Sequence, residues 1–356
     1  VTELTARDVQ DAAANLEPVA ARTPALSALS LDQAAGWPVV CKAESLQRTG
    51  SFKFRGAYHH ASSLPAKERA RGLVGASSGN HAQALALAGR LLEVPATVVI
   101  PADAPAPKVE GIRALGGRVV TYHRDSENRD ALVAEIAARD GLAVVPSANS
   151  RHIMAGAGTA ALELLTDHPE IETLVVPVGG GLAAGTAALE LLTDHPEIET
   201  LVVPVGGGLA AGTATIAKHL YPGIKVIGVE PEEGADTLLS MRCGQRIALP
   251  EVPATIADGL GHTSPSPMTW AVNSRLLDAV VTVTDLDITT AMAFAFRHLK
   301  VVAEPSGACV LAAVLAGHVP HESGMIGVVI SGGGVDLPTF HRLISQATHR
   351  KEPLRV

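Results

Sequence analysis

RGLVGASSGNHAQALALAGRLLEVPATVVIP, residues 71–101, reads as strand, polar turn, helix and strand. LVGA and ATVVI are apolar almost throughout, as a strand covered on both faces must be. The alanine- and leucine-rich HAQALALAGRLL between them is a strong helix former. A helix joining two such strands is the crossover of a parallel pair. Similar apolar runs recur at WPVVCKAE (37–44), GRVVTYH (117–123), LAVVPS (142–147), ETLVVPV (172–178 and again 199–205), KVIGVEP (225–231) and GMIGVVIS (324–331). Helical segments such as RDALVAEIAARDG (129–141) lie between them. The alternation predicts an α/β fold of doubly wound parallel sheets. The opening stretch reads instead as helix and irregular chain, an asymmetry that suits two interleaved lobes.

At 356 residues the chain is long enough for two domains of unequal size. Hydrophobic residues make up 47% and aromatics only 3%, which favours tightly packed helix-on-sheet layers over an aromatic binding surface. A net charge of -8 without any basic run argues against nucleic acid as a partner and for a small molecule. Cys41, Cys243 and Cys309 are odd in number and lack metal-type spacing, as in a reduced cytoplasmic protein. VTELTARDVQDAAANL (1–16) lacks the basic-then-apolar layout of an export signal. The uncharged stretch 174–189 contains Pro177 and three consecutive glycines, so it reads as strand, loop and helix and no membrane span is expected.

Residues 157–187 are identical to residues 184–214, a repeat with a period of 27 residues. Solenoid repeats drift in sequence and stack in about three or more copies, so two identical copies read as a tandem duplication. The unit TAALELLTDHPEIETLVVPVGGGLAAG holds one helix, one strand and one glycine loop. One copy within 157–214 is expected to be supernumerary. Extra chain disrupts least in the turn TDHPEIE, which retains helix 159–167 with the second strand and loop, 201–209. The looped-out unit then carries an apolar strand with no evident burial site.

Four strings carry chemistry. In ESLQRTGSFKFRGA (44–57), Lys53 sits between Phe52 and Phe54. An amine among apolar side chains has a lowered pKa, as imine exchange near neutral pH requires; a solvated surface lysine is the alternative. In GASSGNHAQALALAG (75–89) a strand leads through Ser-Ser-Gly-Asn-His into a helix, which makes either an anion site or an ordinary N-cap. VVPVGGGLAAG, at 175–185 and 202–212, runs a strand into three glycines and then a helix. It is a phosphate cradle or a packing turn, and it matches neither GxGxxG nor GK[ST]. In VVISGGGVDL (328–337), Ser331 follows a buried strand and presents a neutral hydroxyl or caps the turn.

These strings occur together with RTPALS (22–27), GVEPEEGAD (228–236), IADGL (256–260) and AEPSGA (303–308). With them the chain resembles, over nearly its whole length, the fold-type II pyridoxal-phosphate enzymes (tryptophan synthase β-like), in the branch of threonine dehydratase, serine dehydratase and serine racemase. The resemblance implies a large cofactor-binding domain, 1–45 plus 151–356, and a small substrate-loop domain, 46–150. It makes Lys53 the Schiff-base lysine and the base at Cα, with Phe52 behind the ring and Asn80 on the phenolic oxygen. Ser77, Ser78, Gly79, Asn80 and His81 would hold the substrate carboxylate, and Ser78 matches the position that exchanges a proton on the opposite face in racemases. Gly206, Gly207, Gly208 and Leu209, or Gly179, Gly180, Gly181 and Leu182, would cradle the phosphate, with three glycines where the family usually has four. Ser331 would meet the pyridine nitrogen, and Gly334 stands where the family commonly has asparagine. Glu230, Gly234 and Asp236 resemble a site for Mg²⁺ or Ca²⁺, Glu304 lies near the cofactor with an open role, and a homodimer is implied. The implied activity is deaminating dehydration of L-threonine or L-serine to 2-oxobutanoate or pyruvate and ammonia. Serine racemase, hydroxyaspartate dehydratase and an inactive duplicated variant are the alternatives.

Overall fold

The computed structural model describes residues 5–77, 79–104, 106–123, 126–147, 150–167, 171–175, 200–202, 225–320 and 325–348. The strands in chain order are β1 (Ala25–Ser27), β2 (Val39–Ala43), β3 (Leu73–Ala76), β4 (Ala96–Pro101), β5 (Arg118–Tyr122) and β6 (Ala143–Val144), then β7 (Ile171–Val175), β8 (Thr200–Val202), β9 (Lys225–Pro231), β10 (Ala279–Val283) and β11 (Met325–Ile330). They form a seven-stranded sheet, β1-β2-β11-β7-β8-β9-β10, and a four-stranded sheet, β5-β4-β3-β6. Neighbours are parallel except β1 and β2. Residues 71–101 fold as their pattern requires: β3 pairs with β4 through helix Asn80–Leu91, and every residue of β4 is buried. Two strands were not legible. β1 has only three residues in the stretch read as irregular, and in β10 a threonine interrupts a short apolar run.

The core of the large sheet is centred on helix Pro305–Leu315, buried from Pro305 to Val314. A helix apolar on all sides has to be covered on all sides, and it lies between β9–β11 and helix Asp285–Phe294. Each fully buried valine or leucine here contributes about 1.5–3 kcal/mol. Helix Lys53–Ser63 runs between helices Asn80–Leu91 and Arg151–Asp167. Its contact with the latter is backbone to backbone, because a Cβ on Gly156 would lie 2.6 Å from the Arg55 carbonyl oxygen and one on Gly56 2.7 Å from that of Ile153.

That close approach seats a buried ion network. The Arg55 guanidinium donates to Glu44 at 2.8 Å from both Nε and Nη2, and to Glu163 at 2.7 Å. Lys42 donates to Glu163 at 2.7 Å and to the Thr23 carbonyl at 2.6 Å, while the Thr23 hydroxyl donates to Glu44 at 2.6 Å. The guanidinium beside it holds the Glu44 carboxyl below the usual range although burial opposes this. The network ties β2, helix Lys53–Ser63 and helix Arg151–Asp167 into one rigid support.

The repeat corrects one expectation. Helix Arg151–Asp167 does include the first copy's helix, but both copies of the strand enter the sheet: β7 pairs with β11, and Val175 of β7 pairs with Val202 of β8. An apolar segment looped out of a sheet leaves its N–H and C=O groups unpaired, whereas an added parallel strand satisfies them. The stretch 176–199, which holds most of the uncharged segment, lies outside the described residues. Among the described residues no helix is long and apolar enough to cross a membrane.

Candidate active site

The carboxyl ends of β3 and β11 face one pocket of about 200 Å³, where ligands bind in open α/β sheets. The Thr-Gly-Ser-Phe-Lys turn is stitched to the Ser-Gly-Gly-Gly turn after β11. Phe52 N–H donates to the Ser331 carbonyl at 3.1 Å, Gly333 N–H donates to the Gly50 carbonyl at 2.9 Å, and Ser51 bridges Gly332. Lys53 opens helix Lys53–Ser63 at the floor of this junction. From the small sheet, Ser77 follows β3 and is held by its N–H to the Val99 carbonyl at 3.1 Å, so Gly79 and Asn80 present the helix start to the same space.

Lys53 Nζ lies 4.9 Å from the Phe52 ring centroid and donates to the Ser147 carbonyl at 3.5 Å. Burial pulls its pKa down to about 8, with Glu304 acting in the opposite direction. Burial also lowers His81 to about 3, and its Nε2 lies 3.2 Å from the Val145 carbonyl, so the imidazole is neutral with the proton on Nε2. His262 is likewise lowered, first by burial and then by the charge of Lys53. Glu304 is raised to about 7 by burial and by Asp258, while the Asn80 amide donates to it at 2.6 Å.

Of the residues singled out in the sequence, the structure brings Phe52, Lys53, Ser77, Gly79, Asn80, His81 and Ser331 to the pocket, with Gly334 and Glu304. Ser78 and both glycine loops, Gly179–Leu182 and Gly206–Leu209, lie outside the described residues. The sequence reading missed Lys108, Arg129, Asp258 and His262 as lining groups. Asp258 carried a signal within IADGL; Lys108 and Arg129 did not, since each is one charge on an otherwise ordinary amphipathic helix. Lys108 Nζ lies 3.8 Å from Asp258 and Arg129 Nε 3.1 Å from Asp130, both partly exposed pairs.

Glu230 and Asp236 sit apart from this pocket, at the end of β9 and the start of helix Asp236–Cys243. Glu230 is fully buried and accepts from the N–H groups of Thr237 at 3.1 Å and Leu238 at 2.9 Å. Both Asp236 carboxyl oxygens are buried without a well-formed hydrogen bond. Burial, followed by the neighbouring carboxyl, pushes Glu230 well up, and burial raises Asp236 to about 6. Among the described residues no group of three or more histidine, cysteine or acidic side chains could hold a metal, so a cation here also needs backbone oxygen such as that of Gly234.

The model of the family described as "Pyridoxal-phosphate dependent enzyme" matches residues 16–188 and 182–332, two segments that overlap inside the repeat. L-threo-3-hydroxyaspartate ammonia-lyase of Saccharomyces cerevisiae is 36% identical over 338 residues, covering 95% of this chain and 95% of that protein. L-threonine ammonia-lyase of Thermotoga maritima is 34% identical over 343 residues, covering 96% of this chain and 79% of that protein. The structure of maize serine racemase superposes with a TM-score of 0.83 at 35% identity, covering 98% of this chain and 99% of the other. Lysine, neutral histidine, amide and hydroxyl meet in one pocket between two parallel sheets, in a chain matched along most of its length, and the chain thus belongs to the fold-type II pyridoxal-phosphate-dependent enzymes.

Proposed function

We propose that this chain is an ammonia-lyase that dehydrates β-hydroxy amino acids to 2-oxo acids and ammonia, with Lys53 as its covalent and basic residue. The observation that carries this reading is a half-buried amine with a pKa of about 8, set against the Phe52 ring and beside Ser331 and Asn80. The pocket fits pyridoxal phosphate: Lys53 would hold its aldehyde carbon, Phe52 would lie against its ring, Asn80 would bond its phenolic oxygen, and Ser331 would meet its ring nitrogen. When bound, the cofactor supplies the aldehyde that joins to an amine and the conjugated ring that spreads the electrons left at Cα. Ser77, Gly79 and Asn80, at the positive end of helix Asn80–Leu91, hold the substrate carboxylate. The Lys53 amine removes the Cα proton, the β-hydroxyl departs, and the released enamine hydrolyses. A hydroxyl at residue 331 does not protonate a ring nitrogen as a carboxylic acid would, which favours prompt elimination over long-lived charge at Cα.

The pocket lining includes Arg129 and Lys108 in addition to Lys53, with Asp258 and Glu304 as its acidic groups. Two such cations favour a β-carboxylate, so 3-hydroxyaspartate is the preferred substrate in this reading, ahead of L-threonine and L-serine. Loss of one charge-assisted hydrogen bond costs about 1.5–3 kcal/mol. Arg129→Met should therefore lower kcat/KM for L-threo-3-hydroxyaspartate by about 10- to 150-fold and leave that for L-threonine within about threefold. An equal loss on both, measured as 2-oxo acid release, would exclude the dicarboxylate reading. Formation of D-serine from L-serine would favour the racemase alternative, in which Ser78 acts on the opposite face.

We infer in addition that the two sheets belong to separate domains, 46–150 and the remainder, and that Glu230, Asp236 and the Gly234 carbonyl take Mg²⁺ or Ca²⁺. A cation there relieves two buried carboxylates of mutual repulsion. At 100 times its Kd it adds about 2.7 kcal/mol. A calorimetric scan should show a higher Tm with either ion and none of that gain in Asp236→Asn; an equal rise in both proteins refutes the site.

A further inference from the structure

We propose that Glu304 is a positioning residue for Asn80: its carboxyl takes one N–H of the Asn80 amide and turns the other toward the pocket, and Gly334 is the position whose missing side chain leaves room for the pair. The inference rests on the reading of Asn80 as a cofactor contact. A primary amide offers two N–H donors at one end and an oxygen at the other, and a half-turn about its last bond exchanges them. A cofactor oxygen that needs a donor is served by one orientation only. In this chain Asn80 Nδ2 donates to Glu304 Oε1 at 2.6 Å, and in its ionised form the Glu304 carboxylate only accepts, which selects the donor orientation.

Glu304 is itself fixed. Its N–H donates to the Gly332 carbonyl at 3.0 Å, its carboxyl also accepts from the Gly334 N–H, and its backbone caps helix Pro305–Leu315. The residues after β11, the start of helix Asn80–Leu91 and the loop before Pro305 thus converge on one carboxyl group.

Gly334 completes the arrangement. A Cβ built there would lie 2.4 Å from Asn80 Oδ1 and 3.0 Å from Glu304 Oε2. The glycine is not needed for backbone freedom, since its φ is not positive. Clearance is the reason, and it accounts for this chain's departure from the asparagine common at this position. Any side chain at 334 in this backbone displaces the Asn80 amide from Glu304.

The test strips the purified full-length protein of cofactor and titrates it with pyridoxal phosphate, following the visible band, for wild type, Asn80→Ala, Glu304→Ala, Glu304→Gln and Gly334→Ala. Far-UV circular dichroism and Tm confirm that each variant is folded. Gly334→Ala disturbs the pair from the side opposite Glu304→Ala, so the inference stays testable if one of them fails to fold. Losing one oriented hydrogen bond should raise the cofactor Kd about tenfold in Asn80→Ala, Glu304→Ala and Gly334→Ala, with the same shift of the band maximum. Glu304→Gln keeps an acceptor oxygen and should bind within about threefold of wild type. If Asn80→Ala weakens binding while Glu304→Ala and Gly334→Ala bind as wild type does, the positioning role is wrong and the Asn80 contact stands. If Asn80→Ala binds as wild type does, the contact itself falls, and this inference with it.

Discussion

Lys53→Ala should remain folded, lose the visible band of the lysine-bound cofactor, and lose turnover by at least about 10³-fold. The size of the loss follows from two tasks resting on one amine, covalent attachment and proton removal at Cα. The side chain stands beside Phe52 in an open pocket rather than within the core, so truncation leaves no large apolar cavity. With its pKa lowered by burial to about 8, roughly a quarter of the amine is neutral at pH 7.5. At an unshifted lysine pKa the fraction would be roughly one in a thousand. Cofactor loading of the stripped protein should therefore speed up with pH and level off above about 8, because only the neutral amine attacks an aldehyde. Stopped-flow absorbance measures this, and a midpoint near 10 would mean that the amine is solvated.

Arg55→Ala should destabilise the protein by about 3–5 kcal/mol, read as a lowered denaturation midpoint with an unchanged slope. Removing the guanidinium leaves Glu44 with no exposed surface and no compensating charge nearer than Lys42, and breaks the tie from helix Lys53–Ser63 to Glu163. Glu163 belongs to the first of the two identical units. Deleting residues 184–210 removes one unit, restores an unbroken alternation and leaves Glu163 in place. Under the proposal that one copy is supernumerary, that deletion keeps or raises activity, with β7 pairing β9 in place of β8. A folded but inactive product would mean that the second copy is needed. The Arg55→Ala effect does not depend on the repeat, so the two measurements separate the support of the site from the duplication.

The fold was legible wherever periodicity was unambiguous. Residues 71–101 and 129–141 announce buried strands and crossover helices because every position in them obeys one pattern. Lys53, Asn80 and Ser331 were singled out by the family resemblance of the strings that carry them, since local chemistry left each open, and all three line the pocket. Arg129, Lys108 and His262 were not singled out, because convergence on a pocket from separate elements leaves no local trace in a chain. Gly334 was visible as a departure from a pattern, but its cause, the space filled by Asn80 and Glu304, exists only in three dimensions. The repeat was evident from identity alone, yet its accommodation was misjudged, since pairing of β7 with β8 depends on a sheet with room for one more strand.

The most direct test of the central claim is reduction of the cofactor-loaded protein with borohydride, followed by digestion and peptide mass mapping. The account predicts a single pyridoxyl adduct, on Lys53. An adduct on Lys108 or another lysine, or none in a protein that turns over substrate, would contradict it.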